Sequence, residues 1–151
     1  MKLPSSTDLS EEQNEIYWQP LDSRMLVTGP PGTGKTVMAL YRGQMVAKAG
    51  GISKIRIIVF NKVLRKYSTE GLADGEFEMG AELSKCIKTM HQWVYHWWMT
   101  SFRQAPPNMP QHKYIYDWDQ MVATLTGSSD SNMQHLAKWD HLIIDEGQDF
   151  D

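Results

Sequence analysis

Two short stretches of this 151-residue chain carry side chains that could do chemistry together. The first is Gly29-Pro30-Pro31-Gly32-Thr33-Gly34-Lys35-Thr36, with the spacing G-x-x-x-x-G-K-T. Such a loop can hold a polyphosphate. Glycines let the backbone bend tightly and bring its N–H groups against phosphate oxygens, where a side chain would obstruct. Lys35 supplies a point charge for the β- and γ-phosphates, and the Thr36 hydroxyl can ligate Mg²⁺. The second stretch, His141-Leu142-Ile143-Ile144-Asp145-Glu146, is an apolar run ending in two carboxylates. Asp145 is suited to hold Mg²⁺, directly or through water. Glu146 is suited to polarise a water for in-line attack on a γ-phosphate. Two acids after a strand are weak evidence alone; beside the phosphate loop they are a matched pair.

The flanking sequence supplies the elements that must position these groups. Met25-Leu26-Val27-Thr28 reads as a short strand leading into the loop. Val37, Leu40, Tyr41 and Met45 follow at helical spacing, and Gly50-Gly51 would stop that helix. The helix would aim its N-terminal N–H groups and dipole at the phosphates. Gly29, Gly32, Thr33, Gly34, Lys35 and Thr36 are therefore the expected contacts to nucleotide. Ser10 and Gln13 form a capping-box pattern at the start of a short helix. Gln13 has a second possible use, because a carboxamide can pair with a donor and an acceptor on an adenine edge. Both roles can coexist.

Lys54 to Phe60 is rich in β-branched residues and reads as a mostly buried strand. Asn61 to Tyr67 would form a basic helix or turn at its C-terminal end, where open α/β sheets collect ligands. Lys62, Arg65 and Lys66 could contact a phosphate backbone there or form a solvated face. Gly71 to Gly80 reads as an acidic loop, and the alternation in Leu83 to Lys88 as a third strand. Gln92 to Phe102 reads as a helix. Its Trp93, Val94, Trp97, Trp98 and Phe102 fit a core face better than a base-stacking surface. A Pro-rich break at 105–110 follows, then a helix over Tyr116 to Leu125, a polar loop over Thr126 to Asn132 and a short helical piece from Met133 to Trp139.

Hydrophobic residues at 41% and charged residues at 22% describe an ordinary globular chain, and the length suits a single domain. The net charge of −3 does not advertise nucleic-acid binding, but five bases and no acid fall between Ile52 and Ser68. One cysteine excludes an internal disulfide, and neither a signal peptide nor a membrane-length apolar run is seen. A cytoplasmic protein away from membranes is the expectation. His91 and His96 lie too far around a helix to share a metal, so the one ion expected is nucleotide-bound.

Gly29 to Thr36 together with Asp145-Glu146-Gly147-Gln148-Asp149-Phe150 resembles motifs I and II of superfamily 1 helicases, in the UvrD/Rep-like branch. Gln13 resembles the adenine-contacting glutamine of the family's Q motif. Phe60-Asn61-Lys62-Val63-Leu64-Arg65 resembles motif Ia, and Thr89-Met90-His91 resembles motif Ib. Arg42, seven residues after Lys35, matches an arginine that lies near the adenine. The resemblance implies an α/β fold: a P-loop NTPase, RecA-like parallel sheet with flanking helices, incomplete over 1–151. Residues 1–8 would be a loose N-terminus and 92–139 a mainly helical insert. It implies ATP and Mg²⁺ as cofactors, Asp145 and Thr36 on the metal, and Glu146 as catalytic base with Lys35 and Gln148 at the γ-phosphate. Phe60, Asn61, Lys62, Arg65, Thr89 and His91 would touch single-stranded DNA.

The chain reaches one residue past motif II and shows no motif III or second RecA-like domain. The expectation is an N-terminal part of a larger motor, needing further helicase domains or a partner chain for catalysis. Two rival readings are a nucleotide-binding switch or recruitment module completed by a partner chain, and an inactive remnant.

Overall fold

The computed structural model describes residues 6–51, 55–74, 77–127 and 139–149. The chain divides into two compact units, Met1–Thr89 with Trp139–Asp151, and Met90–Lys138.

The first unit is built on a three-stranded parallel sheet. Its β-branched centre is β1 (Ile55–Val59), with β2 (Ile87–Thr89) on one side and a strand from the far end of the chain, His141–Asp145, on the other. That last strand is β5 in chain order. Val59 is in register with both Thr89 and Asp145, so the three strands end level at one C-terminal edge. Ile55, Ile57 and Val59 join a core with Leu40, Tyr41, Leu72, Leu83 and Ile87. Four helices accompany the sheet: α1 (Glu11–Tyr17), α2 (Lys35–Gly50), α3 (Lys62–Asp74) and α4 (Gly80–Cys86). The family of folds is thus mixed α/β with helices flanking a parallel sheet, as expected.

Helix α2 is the unit's central helix. Of the expected face, Val37, Leu40 and Tyr41 are buried and Met45 is half-buried; Met38, Arg42, Gly43, Gln44, Val46 and Ala47 are buried as well. Burial on several sides follows from its neighbours, because α1, α4, β1 and β5 all pack against it. Gly43 permits the sheet to come close, since a Cβ there would lie 2.9 Å from Ile57 Cδ1. Gly51, at φ 90°, ends the helix, and its N–H donates to the Ala47 carbonyl.

Several expectations change. Met25 to Thr28 is not a strand: it pairs with no other segment among the described residues, and Leu26 is 89% exposed. A strand needs a ladder partner as well as apolar residues. Leu83 to Cys86 belongs to α4, and only Ile87 to Thr89 is strand. Of the loop expected over Gly71 to Gly80, Gly71 to Asp74 continue α3 and Gly80 begins α4. Lys54, residues 128–138 and Phe150 lie outside the described residues, and with them most of the expected polar loop and helical piece before Trp139.

The α3–α4 junction is tight. A Cβ on Gly80 would sit 2.4 Å from the Leu72 carbonyl oxygen, a backbone atom that cannot swing aside. Gly80→Ala is expected to destabilise the protein by about 1–3 kcal/mol, as overpacking does. Thermal unfolding measures it, and an unchanged Tm would contradict the packing described.

The second unit contains α5 (Met90–Phe102), a small antiparallel hairpin of β3 (Asn108–Met109) and β4 (His112–Tyr116), and α6 (Trp118–Gly127). Its core is Val94, Trp98 and Met121, with Trp93, Trp97 and Phe102 packed around them. Trp93, Trp97, Trp98 and Phe102 of α5 therefore serve packing, while Tyr95 is exposed. The hairpin was not expected; the Pro-rich stretch reads as a break, and β4 is too exposed to alternate in burial.

Candidate nucleotide site

The phosphate loop runs from the unpaired segment at 25–28 into α2. Gly32 and Gly34 take φ of 83° and 81°, the left-handed region that an L side chain disfavours. The first N–H groups of α2 have no intrahelical partner, which leaves an anion-binding end at Lys35 and Thr36. Loop carbonyls are drawn the other way. Lys35 Nζ donates to the Gly29 and Pro30 carbonyls at 2.9 and 3.1 Å, and Thr33 Oγ1 donates to the Pro30 carbonyl at 2.9 Å. A bound polyphosphate would compete with those two carbonyls for the lysine.

Thr36 Oγ1 donates to Asp145 Oδ1 at 3.2 Å, which joins α2 to the end of β5. Asp145 is buried, 5% exposed, and its Oδ2 is buried with no hydrogen-bond partner. Burial pushes its carboxyl above the usual carboxylate range; the neighbouring Glu146 adds to this, while the Thr36 hydroxyl opposes it. A buried acceptor with one oxygen unused, beside a hydroxyl, is suited to a cation. The described residues hold no group of three or more His, Cys, Asp or Glu able to bind a metal. A one-carboxylate site of this type fits Mg²⁺, which keeps waters and shares phosphate oxygens.

Glu146 follows at φ 56°, a strained value for a non-glycine residue. The turn of Gly147–Asp149 holds it there, with the Asp149 N–H donating to the Glu146 carbonyl at 3.0 Å. Gln148 Nε2 donates to Glu146 Oε2 at 2.6 Å, so the two side chains meet.

Gln13 does form the capping box with Ser10. Its carboxamide also reaches the loop, where Nε2 donates to the Thr33 carbonyl at 2.9 Å. Arg42 is buried, and its guanidinium donates to the carbonyls of Gln19 and Pro20, with Ser23 Oγ at 3.4 Å. Burial holds its pKa below the ordinary arginine value. Arg42 thereby ties α2 to the turn after α1. These ties to main-chain carbonyls leave no trace in residue types, so the sequence offers no signal for them.

The residues expected along a nucleic-acid track have varied surroundings. Phe60 and Lys62 are exposed just beyond β1. Asn61 Oδ1 accepts from the Val63 and Leu64 N–H groups, both at 2.9 Å, and caps α3. Arg65 Nε donates to the Ile87 carbonyl at 3.1 Å, which spends one of its donors on β2. Thr89 is buried at the end of β2. His91 belongs to the second unit, where its ring lies 5.0 Å from that of Tyr116 and its carbonyl accepts from the Tyr116 hydroxyl. No described helix is long and apolar enough to cross a membrane.

Compared with known proteins, the chain matches the family described as AAA domain over residues 13–151. No curated protein and no solved structure matches it.

Proposed function

The chain belongs to the AAA domain family, a P-loop nucleotide-binding class, and from that premise we propose that it is the ATP-binding N-terminal part of a UvrD/Rep-like DNA helicase. In the complete motor, ATP hydrolysis would drive movement along single-stranded DNA. The observation that carries the reading is the Thr36–Asp145 contact with its unused Oδ2. It joins residues 109 positions apart into the pair that a Mg-nucleotide requires.

Lys35 would leave the Gly29 and Pro30 carbonyls for the β- and γ-phosphates. Thr36 and Asp145 would hold Mg²⁺, which supplies Lewis-acid charge on the phosphate oxygens. Glu146 would take a proton from the attacking water as its oxygen bonds to the γ-phosphorus and the bond to the ADP oxygen breaks. Gln148, already bonded to Glu146, would contact the γ-phosphate and orient the base. The turn at Glu146–Asp149 follows directly on Asp145 and holds the Gln148 side chain against that of Glu146.

DNA would run along the C-terminal sheet edge past Phe60, Asn61, Lys62, Arg65 and Lys66. Replacing Lys62 and Lys66 with Ala tests this without disturbing the Arg65–Ile87 bond. The double variant is expected to weaken single-stranded DNA binding and flatten its log–log salt slope by roughly one unit per lost phosphate contact. An unchanged slope would return both lysines to a solvated face and favour the alternative, a nucleotide switch completed by a partner chain.

A further inference from the structure

We infer that Gln13 is a positioning residue for the phosphate loop, acting on the triphosphate end of any nucleotide whatever its base. The inference rests on the loop being a phosphate site, as proposed above. Its evidence is the way the carboxamide is used. Oε1 accepts from the Ser10 N–H at 3.0 Å and Nε2 donates to the Thr33 carbonyl at 2.9 Å. The helix end carrying it is firmly held. Gln13's own N–H donates to Ser10 Oγ, and Asn14 Nδ2 donates to the Leu9 and Ser10 carbonyls, both at 3.1 Å. Leu9 is buried in the core beneath. Gln13 is thus a strut with a fixed base.

What the strut fixes is a peptide plane. No peptide bond among the described residues is cis, and in a trans peptide the carbonyl and the following N–H point in opposite directions. Holding the Thr33 carbonyl toward α1 therefore turns the Gly34 N–H away from α1. That N–H opens the helix end where an anion is bound. Gly34, at φ 81°, is the residue whose freedom would let this plane flip. The approach is close as well, since a Cβ on Gly34 would lie 2.7 Å from Gln13 Nε2. Each amide atom still keeps one hydrogen or lone pair, so contact with a base is permitted; the strut does not require one.

The test compares Gln13→Met, which removes the carboxamide without adding charge, with Ser10→Ala, which weakens the cap but keeps the Thr33 bond. Binding of ATP, GTP and inorganic tripolyphosphate is measured for each. Gln13→Met is expected to weaken all three by the same factor, about threefold to tenfold, the worth of one hydrogen bond. Ser10→Ala should stay within about twofold. A loss confined to ATP would overturn the inference and make Gln13 a base reader. Equal losses in the two variants would also overturn it, assigning the effect to helix α1. Failure of the unaltered protein to bind any of the three would contradict the nucleotide site itself. The strut is then judged by the Gly34 amide ¹⁵N chemical shift in the ligand-free protein, which reports the hydrogen bond on the Thr33 carbonyl; it should move in Gln13→Met but not in Ser10→Ala, and would refute the strut if unchanged in Gln13→Met.

Discussion

The 151-residue polypeptide is expected to bind Mg-ATP and to release phosphate orders of magnitude more slowly than a complete motor, with little stimulation by single-stranded DNA. The residues proposed for the ground-state complex are close together: Thr36 on Asp145, and Glu146 with Gln148 beside it. Hydrolysis needs more, because charge spreading over the γ-phosphoryl oxygens must be met by a cation as the bond breaks. An arginine finger is worth about 10³ to 10⁵ in rate. Arg42, Arg56 and Arg65 all donate to main-chain carbonyls within the first unit. In the helicase reading proposed above, the finger comes from another domain or chain. Steady-state phosphate release with and without DNA is the measurement, and Glu146→Gln reports contaminating activity. Robust DNA-stimulated turnover that disappears in Glu146→Gln would show that the polypeptide supplies its own finger.

Lys35→Ala is expected to weaken Mg-ATP binding by more than tenfold, a loss of at least ~1.4 kcal/mol, with the fold kept. The ammonium is the loop's one side-chain cation, and its ligand-free bonds go to the Gly29 and Pro30 carbonyls. Those bonds are exposed, so losing them costs little stability. Titration with a fluorescent ATP analogue measures the effect, and equal affinities would remove Lys35 from the site.

The parts of this fold legible in sequence are those whose chemistry is local. The phosphate loop, the carboxylates after an apolar strand and the Ser10–Gln13 capping box are each set by neighbouring residues. Residues 25–28 read as a strand because they are apolar, yet no partner pairs with them among the described residues. Leu83 to Lys88 departs from the expected strand for a different reason. Leu83, Cys86 and Ile87 fit a helical i, i+3, i+4 spacing as well as an alternating one, and burial of Leu83 and Cys86 on α4 decides for the helix. Arg42 is placed near the adenine by the resemblance alone. Its bonds to Gln19 and Pro20 could not be read from sequence, because main-chain carbonyls have no residue signature.

Asp145, buried with an unpartnered Oδ2, is in the function proposed above a carboxylate kept for a metal. A carboxyl whose folded pKa is raised contributes stability below its unfolded value, about 3.9, and that contribution is lost as pH rises through the folded value. Above the folded value, the buried Asp145 carboxylate is therefore a cost to the ligand-free fold, relieved when Mg-nucleotide binds. Asp145→Asn keeps the shape and an acceptor for Thr36, and removes the charge. The most direct measurement is thermal unfolding at neutral pH of both proteins, each with and without Mg-ATP. The ligand-free variant is expected to melt higher than the unaltered protein. Saturating Mg-ATP, at about a hundred times Kd, adds about 2.7 kcal/mol to the unaltered protein, a rise of roughly 5–10 °C for a chain of this size, and adds little to the variant. A variant that melts lower and still gains the full rise with Mg-ATP would contradict the account.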